Sequence, residues 1–361
     1  MIIKIKHTIF NWLWLVSLTA MVSCSPWNPP ENEENVASEV FKTFWQQMSR
    51  QYTCFSEHPV NWDSVYVTNI IKLDSLQSDE ELIDLMSGIV NDLEDAQLKI
   101  NVPDHPILKY IPPAVSYDYP GSFAFPSSSD YSIDYPPSGS GAIISHRQED
   151  KMYRFAYVGM ASYSLQPAER CHLVLDELNQ LNPDGFIVEL RNSDQIDMEV
   201  MINFVRQFYE GERKLLQVYK RESAEDRTKM VFFKDIIVTG EGTVPNDKTV
   251  VLLVNSLTIG TANVCAHLMK QYPNVMVVGT LPTSGGGAES SWVSLTHEWA
   301  LKFSHDVKYF INGVSCEQPL QPDILVNNSI MVDDTLVGTT HERLRISASM
   351  VMAMNLIEAK H

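Results

Sequence analysis

The stretch Thr249–Gly287 constrains the fold more than any other part of the chain. Val250 to Val254 is an uninterrupted apolar run, which suits a strand buried on both faces rather than one with a wet side. A tight segment follows, Asn255-Ser256-Leu257-Thr258-Ile259-Gly260-Thr261, and then helical spacing from about Ala262 to Gln271. Val275–Val278 reads as a second buried strand and Gly285-Gly286-Gly287 as a glycine turn. Strand, tight turn, helix, strand is a crossover unit of a parallel sheet. Its first turn aims backbone N–H groups at one point, where such folds place their chemistry.

The flanking segments continue the alternation. Tyr153–Met160 is expected as a strand, Pro167–Leu181 as a helix, Gly185–Leu190 as a buried strand and Met198–Tyr209 as a helix. Trp292–Thr296, Ala300–Phe303 and Lys308–Ile311 follow as strands, the last leading into a turn at Asn312-Gly313. Residues 341–358 are expected as a terminal helix. This order predicts a layered α/β domain over residues 151–361. With 361 residues, 44% of them hydrophobic, the chain can bury a sizeable core.

Residues 35–100 read as helical. Val40, Phe41, Phe44, Trp45 and Met48 recur at helical spacing, as do Leu82, Leu85, Met86, Ile89, Val90 and Leu93, and both sets suit core packing. Residues 101–150 change character: Pro103, Pro106, Pro112, Pro113, Pro120, Pro126, Pro136 and Pro137 stand among Ser, Tyr, Gly and Asp. That density argues against long helices and central strands and predicts an insertion or a boundary. Tyr117, Tyr119, Tyr131 and Tyr135 there suit a contact surface or packing over the domain.

Acidic residues outnumber basic ones by 45 to 27, a formal charge of −18. A field of that sign repels phosphate backbones and argues against nucleic-acid binding. The first 24 residues read as targeting sequence: Lys4 and Lys6 are a basic start, and Ile9 to Val22 an apolar run short for a membrane span. Its end, Met21-Val22-Ser23-Cys24, resembles a bacterial lipoprotein signal, with Met21 where a leucine is usual. The resemblance implies lipidation of Cys24, export to the cell envelope and a lipid anchor, with Ser25–Glu34 as a flexible tether. Cys54, Cys171, Cys265 and Cys316 remain, none at metal-ligand spacing. Cys265 suits the buried side of the core helix. His297 and His305 lack an evident third ligand, so no metal and no cofactor is expected.

Four segments in order carry a further resemblance. Gly185-Phe186-Ile187-Val188-Glu189-Leu190-Arg191-Asn192 looks like a strand ending in D-L-R-x-N. Leu252 through Ala266 looks like a nucleophile strand and helix, and Val277 through Gly287 like a V-G-x-x-T-x-G-G segment. Gly313 to Gln321-Pro322-Asp323-Ile324 looks like a G-I-x-P-D-i ending. Together they resemble the tail-specific, or C-terminal processing, serine peptidases, which implies a Clp-protease/crotonase-like layered α/β core. Leu93-Glu94-Asp95-Ala96-Gln97 resembles the L-x-D-G-H segment of the tricorn-like and retinoid-binding-protein-like branch.

The same resemblance implies a dismantled active site. Laid on T-x-S-A-x-E, Thr258 takes the threonine, Gly260 the nucleophilic serine and Asn263 the glutamate. A glycine has no hydroxyl to activate. The lysine that processing peptidases carry falls within Ser284-Gly285-Gly286-Gly287, at Gly286, and the histidine of the tricorn-like branch at Gln97. The glycine pair that lends an oxyanion N–H is replaced by Asp194 and Gln195, and a carboxylate there opposes a developing oxyanion. The leading expectation is a pseudopeptidase binding a peptide or unfolded segment along Thr258, Ile259, Gly260, Thr261, Gly285, Gly286 and Gly287. One alternative is an active peptidase with its nucleophile shifted to Ser256, Thr258 or Thr261 and His267 nearby. Another is an envelope interaction module.

Overall fold

The computed structural model describes residues 36–76, 78–110, 112, 131–138, 141–160, 170–194, 196–223, 225–327, 331–337 and 340–361. The residues expected as signal and tether, Cys24 among them, and Tyr117, Tyr119 and Gln195 lie outside the described residues. Among those described, no helix is long and apolar enough to cross a membrane.

The core sheet runs in the order Ile324–Leu325, Val275–Gly279, Thr249–Val254, Gly185–Glu189, Lys151–Gly159, Ala142–Gln148, Tyr131–Asp134. The first five are parallel to their neighbours and the last two pair antiparallel. All six residues of Thr249–Val254 are buried, as an all-apolar run in a covered parallel sheet requires. On one face, Val250, Leu252 and Val254 pack with the helices Met198–Val205 and Thr261–Met269. On the other, Val251 and Leu253 pack against Met350, Ala353, Met354 and Ile357 of the C-terminal helix Ala348–Glu358. That helix sits close because position 185 is glycine: a Cβ there would lie 2.9 Å from Ile357 side-chain carbons.

A second sheet is built on the long strand Ala300–Ile311, which pairs with Lys99–Asn101, Glu210–Arg221, Ala288–Ser294 and Val314–Ser315. Three helices, Val36–Gln51, Trp62–Leu73 and Asp79–Leu93, cover one end of it through Phe41, Phe44, Met86 and Val90. Their starts are written locally. Asn61 and Ser78 cap the second and third, Ser78 Oγ accepting from the N–H of Glu81.

Several expectations need correction. The proline-rich stretch supplies a strand with neighbours on both sides, Ala142–Gln148; its last proline is Pro137, so the ladder loses no donor. The helix expected over 341–358 is a strand, Thr340–Ile346, paired with Met331–Val337, followed by a helix from Ala348. Ser347 is the reason for the break, its Oγ capping the N–H of Met350 at 3.2 Å. The helix from Met198 ends at Val205 and tightens into a 3₁₀ turn at Arg206–Phe208. The long hairpin of Glu210–Arg221 with Met230–Glu241 had no sequence expectation. His297 and Glu298 form a turn between two strands, both at positive φ.

Candidate functional site

Between the strand Thr249–Val254 and the helix Thr261–Met269 the chain makes a sharp elbow, pinned by side chains. Asn255 Oδ1 accepts from the N–H of Leu257 and of Asn192, and Thr258 Oγ1 donates to Leu190 O at 2.8 Å. Gly260 sits at the apex with φ +64° and ψ −129°, a region essentially reserved for glycine unless the surroundings enforce it.

The residues matched by motif meet in space. A Cβ on Gly260 would lie 2.9 Å from Gln97 Nε2, and one on Gly286 would lie 2.8 Å from Gln97 Cδ and 2.7 Å from Gly260 N. The two positions that the resemblance assigns to nucleophile and base, Gly260 and Gln97, therefore face each other across one contact distance. Gln97 is held there by Ser304 Oγ, which donates to its Oε1 at 3.1 Å, and by its own Nε2, which donates to Ser290 Oγ. An amide takes no proton from a hydroxyl at neutral pH, so this contact supports no general-base step. Position 286 has no room for a lysine.

The oxyanion side is closed as well. Ile259 N–H donates to Ser193 O at 2.9 Å and Gly260 N–H to Gly285 O at 3.0 Å. Asp194 is ion-paired with Lys99 at 2.7 Å, so its charge is largely compensated and opposes an oxyanion less than the bare sequence implies. Asn263 is buried as a structural clamp: Nδ2 donates to Cys316 O at 2.7 Å and Oδ1 accepts from Thr283 Oγ1.

Of the residues expected to bind, Thr261 is half-buried and lines a cleft, while Ile259 is buried at the edge of a second pocket. Gly286 and Gly287 do not donate outward, because their N–H groups go to Glu317 O and Glu317 Oε2. Thr258 is fully buried. The shifted-nucleophile alternative finds no dyad: Ser256 Oγ is buried without a partner, and His267 Nε2 faces Gln318 O. Tyr131 stacks on His146, with ring centroids 4.3 Å apart, while Tyr135 is exposed. Cys265 is buried, and the four described cysteines are free. His297 contacts Glu39 and His305 contacts Ser291 and Asp306, so the two rings do not share a ligand.

Behind Gln97 lies a charged group that motif reading missed. Asp95 accepts from Tyr52 OH at 2.8 Å and from the N–H of Gln97 at 2.7 Å. Glu317 holds the Gly287 N–H, and its other oxygen is 3.8 Å from His58 Nε2. Burial alone would raise Glu317, but the nearby His58 ring, the Gly287 N–H and the His58 and Lys308 charges outweigh it and lower it. Burial and the Glu317 charge hold Asp95 above its usual range. His58, Asp95 and Glu317 offer donor atoms within 4.8 Å of one another, a spacing a metal could use. Internal hydrogen bonds and the His58 proton already account for the arrangement. Glu317 lies within the segment matched as the family ending; His58 carries no sequence signal.

A cleft of about 410 Å³ opens in front of the elbow, lined by Gln97, Lys99, Asp194, Thr261, Trp292 and Lys302 among others. Trp292 and Ile107 are each 46% exposed on its walls. A second pocket of about 310 Å³ adjoins it across the Lys99–Asp194 pair, with Lys109, Tyr110, Leu257 and Ile259. Burial, and then the Lys99 charge, depress Lys302.

Residues 154–326 match the profile of peptidase family S41. The core belongs to that family. Solved structures share the fold at low identity. A proposed peptidase from Parabacteroides merdae superposes with TM-score 0.67 at 19% identity, covering 90% of this chain and 98% of its own. Mature CPAF gives 0.59 at 9%, covering 80% and 92%, and its complex with lactacystin 0.58 at 8%, covering 90% and 98%. No curated protein sequence matches the chain. The matched core thus contains the strand, elbow and helix, with Gly260 and Gln97, the residues matched by motif to nucleophile and base, beside one another.

Proposed function

We propose that the chain is a pseudopeptidase of family S41 that holds an extended peptide or unfolded segment in the former catalytic cleft. The observation that carries this reading is the Gly260–Gln97 contact, in which the two positions needed for covalent catalysis meet and neither can act. The walls suit a peptide. Trp292 offers a large exposed ring, Lys99 and Lys302 offer cations, and the strand Ala288–Ser294 pairs on one side only among the described residues. A free strand edge supplies main-chain hydrogen bonds to an added strand.

The test is to titrate the chain from Ser25 onward with an unfolded protein and with peptides cut from it, following binding and cleavage together. Saturable binding without cleavage is expected, weakened at least about tenfold by Trp292→Ala, which corresponds to about 1.4 kcal/mol. Gly260→Ser is expected to stay inactive, because Gln97 cannot deprotonate the new hydroxyl. Cleavage by the unaltered chain, or the lack of saturable binding, would refute the reading.

We also propose that the protein is held at the cell envelope by a lipid on Cys24, with Ser25–Glu34 as tether. The support is the signal-like run ending at that cysteine. Cys24→Ala is expected to move the protein out of the membrane fraction, and an unchanged distribution would count against the anchor.

A further inference from the structure

We propose that Ser291, His305 and Asp306 form a second, acyl-transfer site on the opposite face of the strand that walls the cleft, selective for small, activated esters. Ser291 Oγ lies 2.6 Å from His305 Nε2, and His305 Nδ1 lies 2.7 Å from Asp306 Oδ2. A hydroxyl, an imidazole and a carboxylate in hydrogen-bonded series is the arrangement that activates a serine, and it is recognised by geometry rather than by sequence order.

The fold builds this series deliberately. Side chains of consecutive strand residues normally diverge to opposite faces, so a histidine and the aspartate after it should not meet. The ladder here is irregular. Ser290 pairs with Ser304, but Ala288 pairs with Lys308, so residues 305–307 stand opposite Glu289 alone. Within that bulge Asp306 takes φ +63°, which swings its carboxylate back onto the ring of its neighbour. Bulges re-aim side chains in this way, and a non-glycine residue at positive φ is strain that some contact must hold. A β-bridge to Tyr52 holds the His305 backbone, and the imidazole contacts the Phe303 ring at 5.2 Å between centroids. The His305 side chain is 13% exposed, whereas Ser291 is exposed to solvent.

Strand alternation separates the site from the cleft. Ser290 and Trp292 line the cleft, so Ser291 between them faces the other way. The series is therefore independent of Gly260 and Gln97.

The chemistry follows from the contacts. Asp306 holds the proton on Nδ1, which leaves the Nε2 lone pair for the Ser291 proton. Oγ forms a bond to the ester carbonyl carbon as its proton passes to Nε2. The tetrahedral species expels the alcohol oxygen, which takes that proton and leaves as the alcohol. Water then attacks the acyl-serine in the same way and releases the acid, restoring the hydroxyl. Ser291 is exposed and lines neither the cleft nor the pocket beside it, so unhindered esters with good leaving groups fit it. Because Asp306 is 68% exposed, solvent screens its charge and the rate assistance is smaller than that of a buried carboxylate.

The test treats the full chain with a fluorophosphonate probe and maps the adduct by peptide mass spectrometry, with p-nitrophenyl acetate turnover beside it. An adduct on Ser291 is expected, lost in Ser291→Ala, with labelling slowed about 100-fold in His305→Gln. Asp306→Asn is expected to slow labelling and Asp306→Glu to restore it, a rescue that a purely structural role would not give. Thermal melts confirm that the variants fold, and the adduct map on the unaltered chain stands even where one does not. No adduct on the folded chain, an adduct on another residue, or labelling that survives Ser291→Ala overturns the proposal.

Discussion

Arg191→Ala is expected to lower folding stability by about 3–5 kcal/mol, the cost of stranding one member of a buried ion pair. Arg191 is the largest fully buried side chain of the core. Its Nε donates to Glu189 Oε1 at 2.8 Å, a terminal nitrogen donates to Glu189 Oε2, and the other reaches Ser347 Oγ at 2.6 Å. One side chain thus neutralises a buried carboxylate and anchors the cap of the C-terminal helix. Removing it leaves the Glu189 charge, among the described residues, with Tyr157 OH and the N–H of residue 191 as partners. Lysine is a poor substitute, because an ammonium lacks the planar fork that meets both oxygens. Urea unfolding should show the loss, and the double variant Arg191→Met, Glu189→Leu should recover most of it. A single variant within about 1 kcal/mol of the parent would mean that water or a rearrangement relieves the charge.

Glu317→Ala is expected to cost a similar amount, about 3–5 kcal/mol, and also to change the pH dependence of stability. The carboxylate holds the Gly287 N–H and faces His58, with Lys308 contributing charge. The signs are separable. Glu317 is lowered in the folded state, so its contribution is present above its ordinary value and lost as the pH falls through the lowered one. Burial would lower His58, but the Glu317 carboxylate 3.8 Å away and the Asp95 and Glu57 charges raise it instead. Its contribution is therefore full below its ordinary value of 6.5 and is lost as the pH climbs through the raised one. Asp95, also raised, adds a loss in the same direction. The parent chain should lose stability as the pH rises past the ordinary histidine value of 6.5, and Glu317→Ala should flatten that slope along with its lower baseline. Equal slopes in the two proteins would show that the His58 proton is not tied to Glu317.

Both predictions rest on contacts that the sequence only partly displays. Arg191 stands in a run that could be matched to a motif, yet nothing near it names Ser347, 156 residues away, as its partner. Glu317 lies in a recognisable segment, while His58 lies in an unremarkable loop between two helices. Distant partners carry no local pattern, because a hydrogen bond needs only a donor and an acceptor brought together.

What the chain determines by itself is local and repetitive. The apolar runs at Val250–Val254 and Val275–Val278 specify buried parallel strands, since no other element hides so many adjacent side chains on both faces. The turn between them needs a residue at positive φ, and Gly260 meets that need at its own position. The missing hydroxyl at 260 is likewise visible without coordinates. The tertiary structure alone decided that Gln97 is the residue facing Gly260, because that meeting depends on two sheets docking across an interface. It alone spent the N–H groups of Gly260, Gly286 and Gly287 on internal carbonyls and on Glu317. It alone placed Asp306 beside His305 and both beside Ser291, through a bulge whose register is set by the pairing of two strands. Patterns of period two and of one helical turn are written along the chain. Pairing between strands is set by the packing energy of the whole.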